Sequence, residues 1–216
     1  MKLLIMAANG RIARLVESRV LSENDFSDVE LTLFVRNANQ VSDRGDNSRV
    51  TVIEGSLDNS ADVTKAVSGQ DMVFVAAVDH TPTNTWTKNV IAAMQAANVK
   101  RVVFANILGI YNEVPGEFGR WNQEMVASGL ASAQNSDKLL SDSGLDYTTL
   151  RIPWLNDHKE VAYTVTHKGE PYVGVSGSRR SAADVVLKIV ADPTFGSRDS
   201  LGFADPATKD EIRPVY

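Results

Sequence analysis

The chain has 216 residues, 43% hydrophobic and 23% charged, with a formal charge of -5. This is length enough for a full core at ordinary globular composition, and the acidic balance argues against a nucleic-acid backbone or an anionic membrane as principal partner. Cysteine is absent, which excludes disulfides, thiolate zinc sites and cysteine nucleophiles. His80, His158 and His167 lie far apart, without metal-ligand spacing, so no metal is expected.

The first apolar run, Lys2 to Met6, is short and lacks polar alternation, as in a strand buried on both faces of a parallel sheet. Ala7-Ala8-Asn9-Gly10 breaks it, and Arg11 to Val16 begins a helical period. A run this brief, leading straight into a turn, is no signal peptide, and no segment approaches a membrane span, so a soluble cytoplasmic protein is expected. Glu30 to Val35 and Val50 to Glu54 read as the second and third strands. Ser60 is the expected N-cap of a helix from Ala61 to Val67, with Gly69 just past its end. Met72 to Val78 forms a fourth strand, and Thr87 to Ala97 a helix with its stripe at Val90, Ile91, Met94 and Ala97. Arg101 to Ala105 is the fifth strand, a helix runs from about Gln123 to Leu140 with Ser143-Gly144 as its stop, and Asp146 to Leu150 is the sixth strand.

The last third is less regular. Ala162 to Thr166 and Tyr172 to Val175 read as short strands around Lys168-Gly169-Glu170-Pro171. Ser181 caps a final helix to Ala191, and Leu201 to Ala204 is one more strand. Strand–helix alternation of this length implies an α/β fold with a doubly wound parallel sheet, the Rossmann architecture. No linker divides the chain, so residues 1–216 are expected to form a single domain in which 151–216 supply a small lid and the substrate side. Strand, tight turn of small residues and helix form the first half of a dinucleotide site, where the helix N-terminus meets a pyrophosphate.

These segments together resemble the atypical short-chain dehydrogenases/reductases, the branch that includes NmrA-like NAD(P)-binding proteins. AANGRIA is similar to that family's Gly-x-x-Gly-x-x-Gly turn. LTLFVRN, GSLDN, VFVAA, SGLDYTTLRIPWL and VSGSRRSAADVV continue the similarity over most of the chain. Of the turn's three glycines only Gly10 remains, with Ala7 and Ala13 in the other places. The third place mainly needs a small residue, so a slightly altered but working cradle is expected from Ala7, Asn9, Gly10, Arg11 and Ile12. Its alternative is an ordinary small-residue turn.

An NAD-preferring site places Asp or Glu at the end of the second strand, whereas Arg36 there suits a 2′-phosphate, with Arg11 a second cation. NADP is therefore expected over NAD. By resemblance, Leu57-Asp58 flank the adenine, Ala76-Ala77 let backbone and ring come close, and Pro153-Trp154 flank the nicotinamide. Ordinary loop and core are the alternatives for the first four, and a structural lid for Trp154. Trp86 and Trp121 read as core or loop anchors.

Short-chain dehydrogenases carry a Ser after strand five and a Tyr-x-x-x-Lys on the next helix, whose phenol shuttles the proton. Here Asn106 stands in place of the Ser, and the Tyr and Lys positions fall near Gly129 and Ala133, so that pair is absent. Tyr111, in the loop beyond strand five, is the candidate proton donor, or else a packing residue; Lys138 reads as a solvated helix residue. His80 faces the cleft or is solvated, and Asp157-His158 and Arg179-Arg180 have the same ambiguity.

Two functions follow. One is an NADPH-dependent oxidoreductase passing hydride to a small quinone or carbonyl acceptor. The other is a non-catalytic NADP(H)-binding redox sensor that acts through a protein partner and does not touch nucleic acid directly. Oligomerisation is compatible with either.

Overall fold

The computed structural model describes residues 1–216. Strands β1 (Lys2–Met6), β2 (Glu30–Val35) and β3 (Val50–Glu54) lie where the apolar runs predict. They join β4 (Met72–Val75), β5 (Arg101–Ile107), β6 (Asp146–Ile152), β8 (Thr164–Thr166) and β10 (Asp199–Ala204) in one sheet. The order is β3-β2-β1-β4-β5-β6-β10-β8, parallel except for the antiparallel β10–β8 pair. Strand order reverses between β1 and β4, which opens a crevice at their carboxyl ends.

The central strands are buried on both faces, and the alternation of each divides its residues between them. Leu3 and Ile5 pack with Ala13, Val16 and Val20 of α1 (Arg11–Ser22) and with Ala182, Val186 and Ile189 of α5 (Arg179–Ala191). Leu4 and Met6 face α2 (Ser60–Val67), α3 (Thr85–Ala97) and α4 (Gly116–Asp142) through Val63, Val67, Val90, Met94 and Leu140. With no solvent-facing side, these strands carry no polar alternation. A smaller apolar cluster joins Leu108, Phe118 and Tyr172, with Trp121 and Trp154 against it. There, two short strands, β7 (Trp154–Asn156) and β9 (Ser176–Ser178), pair in parallel.

Several expected boundaries shift. Strand β4 ends at Val75, because Ala76 to Val78 run beyond the sheet into the crevice. The N-cap of α2 is Asn59, not Ser60; its Oδ1 accepts from Ala61 N at 2.9 Å and Asp62 N at 3.4 Å. Helix α5 is capped by Ser178, whose Oγ accepts from Ser181 N at 2.9 Å, so Ser181 lies inside the helix. Helix α4 starts at Gly116, before its apolar stripe, and a Cβ on Gly119 would stand 1.9 Å from the Val114 carbonyl oxygen. That close approach is why a residue of low helix propensity occupies its first turns. Tyr172 to Val175 are not a strand; Tyr172 is buried and donates its hydroxyl to the Phe203 carbonyl at 2.6 Å.

Candidate cofactor site

The turn after β1 is shaped by one residue in the left-handed region. Ala7 has φ 56°, a conformation that costs an L-residue roughly 1–2 kcal/mol. Its carbonyl then accepts from Gly10 N at 3.0 Å. Gly10 itself is extended, with φ −68°, so it is needed for space and not for φ: a Cβ there would lie 3.2 Å from the Ala7 oxygen and 3.8 Å from the Ala76 oxygen. The first helical bond runs from Arg14 N to the Gly10 carbonyl, which leaves the amides of Arg11, Ile12 and Ala13 with no acceptor in the chain. Unpaired amides at a positive dipole end make an anion site. Ala13, in the third place of the motif, is fully buried against the sheet, while Ile12 packs beside it.

Beyond the turn lies a cleft of about 180 Å³, lined by Ala7, Asn9, Arg36, Leu57, Asp58, Ala77 and Trp86 among others. The structure thus brings together residues drawn from the ends of β1, β2, β3 and β4. Arg36 is exposed and makes no ion pair or hydrogen bond within the chain, so its guanidinium is free for an anion. Trp86 was not among the residues expected here. Its indole N–H donates to Asp58 Oδ1 at 2.8 Å and its ring walls the cleft. The available signal was its place in the first turn of the helix after β4, at the ligand end of the sheet.

A second cleft, of about 490 Å³, opens at the ends of β4, β5 and β6 between Val78, Ile107, Pro153 and Trp154. Trp154 is held by donation of its Nε1–H to Asn122 Oδ1 at 2.9 Å and packs on Trp121, with ring centroids 4.8 Å apart. Arg179 lies on its rim. The Asp157 carboxylate, held below its ordinary range first by a hydrogen bond from Arg11, joins Arg11 at 2.5 Å to Arg179 at 3.0 Å. That bridge ties the phosphate-side turn to the start of α5. Arg180 points to solvent.

The two candidate catalytic residues are committed elsewhere. Asn106 reaches the floor of this cleft, but its Nδ2 donates to the Ala133 carbonyl at 2.9 Å and its Oδ1 accepts from Ile107 N at 2.8 Å. Tyr111 lies outside the cleft lining and donates its hydroxyl to Asp137 Oδ2 at 2.6 Å, under Arg151 and Lys168. Burial, and then Asp137, push the phenol well above its ordinary pKa. Lys138 pairs with Asp142 at 2.5 Å on the surface.

The fold and these clefts define a dinucleotide-binding protein of the doubly wound class. The chain belongs to the NAD(P)H-binding family, whose family model matches residues 7–193. A short-chain dehydrogenase/reductase of wide type from Veillonella parvula, solved in complex with NADP, is similar at 27% identity and TM-score 0.90, over 100% of this chain and 99% of that one. A Rossmann-fold NAD(P)-binding family protein from Shigella flexneri shares 28% identity at TM-score 0.78, over 100% and 98%. An anaerobillin reductase from Escherichia coli O157:H7 has the same fold at 15% identity and TM-score 0.78, over 100% of each chain. No helix is long and apolar enough to cross a membrane.

Proposed function

We propose that this protein is an NADPH-dependent oxidoreductase that reduces a small quinone or carbonyl acceptor. The observation that carries it is the set of free amides of Arg11, Ile12 and Ala13 together with two clefts at the carboxyl ends of the strands, one with an unpaired arginine and one walled by Trp154. The residues fit the dinucleotide, because Gly10 leaves open the space a Cβ would fill. The amides would hold the pyrophosphate, Arg36 the 2′-phosphate, and Leu57, Asp58, Ala77 and Trp86 the adenosine; the NADP complex of the Veillonella protein supports the choice of dinucleotide. Bound NADPH supplies a hydride. Pro153 and Trp154 set the nicotinamide side, Val78 and Ile107 exclude water from it, and residues 151–216 form the substrate side.

A second reading, a redox sensor of NmrA-like kind acting through a protein partner, draws support from a different observation. Asn106 spends its polar atoms on Ala133 and Ile107, Tyr111 its hydroxyl on Asp137, and Gly129 and Ala133 carry no acid. Loss of NADPH absorbance against quinones, aldehydes and ketones separates the two. Turnover of any class supports the enzyme, and tight NADPH binding with no turnover supports the sensor.

A further inference from the structure

The Trp154 cleft continues along α4 into an opening of about 380 Å³ that shares Ile107 and Val126 with it. One wall of this opening is the His80 imidazole, laid against the backbone of Gly129. A Cβ on that glycine would stand 3.0 Å from His80 Nδ1 and 3.3 Å from Cε1, so a side chain at 129 would press on the ring.

The loop carrying His80 is pinned on both sides. Asp79, 1% exposed, accepts from the amides and hydroxyls of both Thr81 and Thr87. Ser132 of α4 donates to the carbonyls of Asp79 and Thr81. Asn84, left-handed at φ 52°, donates to the Ser132 carbonyl at 2.9 Å and accepts from Asn135 at 2.7 Å. The His80 ring itself is exposed and makes no hydrogen bond in the chain. A fixed backbone thus presents a free imidazole to the cleft.

Among the side chains lining the two openings, only His80, Arg179 and Tyr216 bear an ionisable proton. A guanidinium does not release its proton, and of the remaining two an imidazole is the side chain that most often acts as a general acid. We propose that His80 is the proton donor to the acceptor, an inference that rests on the oxidoreductase reading above. Hydride leaves NADPH, which becomes NADP⁺, and bonds to the acceptor's carbonyl carbon; the C=O π pair moves onto oxygen. That oxygen takes the proton of the His80 imidazolium, the N–H bond breaking as the O–H bond forms, and water reprotonates the neutral ring.

With only three histidines, a ¹⁵N-imidazole spectrum separates them readily. Millimolar hydroquinone, a product-like probe, shifts the His80 signals and leaves His158 and His167 in place. His80→Gly lowers turnover of an aromatic aldehyde by about 10²–10⁴-fold and of a quinone by less than about tenfold, since solvent can protonate the latter afterwards. Free imidazole restores part of the aldehyde rate, which it would not do for a merely structural residue. Unmoved His80 signals, a His80→Gly variant with the full aldehyde rate, or the same loss in Tyr216→Phe overturns the assignment alone. No turnover of any acceptor by the unaltered protein overturns the oxidoreductase reading, and the role of His80 with it.

Discussion

Trp86 and Asp58 meet across the cleft beside the β1 turn, indole N–H to carboxylate at 2.8 Å. The bond orients the indole so that its ring stands as a wall and is not free to rotate into solvent. A base stacked on such a ring is worth about 1–3 kcal/mol. Trp86→Ala is therefore expected to weaken NADPH binding roughly fivefold to a hundredfold by calorimetry. Reduced nicotinamide mononucleotide, which lacks the adenosine, should bind the variant and the parent alike. Equal NADPH affinity in a folded variant would remove Trp86 from the site.

Arg36 is expected to decide between the two dinucleotides. Its guanidinium is exposed and has no partner in the chain, so a 2′-phosphate meets no competing carboxylate. A charged hydrogen bond is worth about 1.5–3 kcal/mol. Arg36→Asp should then cost NADPH about tenfold to a hundredfold in affinity, while NADH binding holds or improves. If NADPH affinity is unchanged, Arg11 becomes the next residue to replace.

Tyr111 is expected to matter for stability and not for chemistry. Its hydroxyl bonds to Asp137, whose other carboxylate oxygen is buried and already lacks a partner. Tyr111→Phe leaves that carboxylate without its phenol donor, at a cost of about 1–3 kcal/mol in urea unfolding. NADPH affinity and quinone turnover should stay within about twofold. Collapse of ketone turnover with unchanged stability would make Tyr111 the acid after all.

Ala7 tests the strained turn. Gly in its place relieves the left-handed penalty of roughly 1–2 kcal/mol but frees the unfolded chain by about 0.4–1 kcal/mol. The two oppose, so Ala7→Gly should stabilise the protein by between zero and about 1.6 kcal/mol, read as a small rise in Tm. Ala7→Val, branched at Cβ where φ is positive, should destabilise it and weaken NADPH binding together.

Glu17 gives the pH dependence. Burial outweighs the nearby Arg14 and Arg44 and pushes its carboxyl up from 4.5 to about 7. The folded protein therefore keeps a proton that the unfolded chain releases near 4.5, so the contribution is full below that pH and is lost as pH rises through about 7. At about 1.4 kcal/mol per pKa unit this is on the order of 3 kcal/mol. Relative to the parent, Glu17→Gln should gain stability as pH goes from about 5 to about 7.5, measured by denaturant titration. A constant difference would show that the two arginines keep the carboxylate ionised.

The sequence by itself determined the sheet and the turn at its switch point. Runs such as LLIM and LTLFV are buried on both faces, so burial leaves a continuous apolar signature within a few residues. The turn's small residues and Arg36 at the end of β2 were legible because each is set by local spacing, whereas the missing Tyr-x-x-x-Lys pair was read through the family resemblance. The start of α4 was not legible, because Gly116 answers to a left-handed backbone at φ 70° and Gly119 to the Val114 carbonyl, and neither to helix propensity. Tertiary structure alone decided which side chains meet. Tyr111 bonds 26 residues away to Asp137, Trp86 28 residues back to Asp58, and Arg11 146 residues on to Asp157. Such contacts depend on where the parallel crossovers set separate elements side by side, and no periodicity within a strand or helix encodes the partner across that distance.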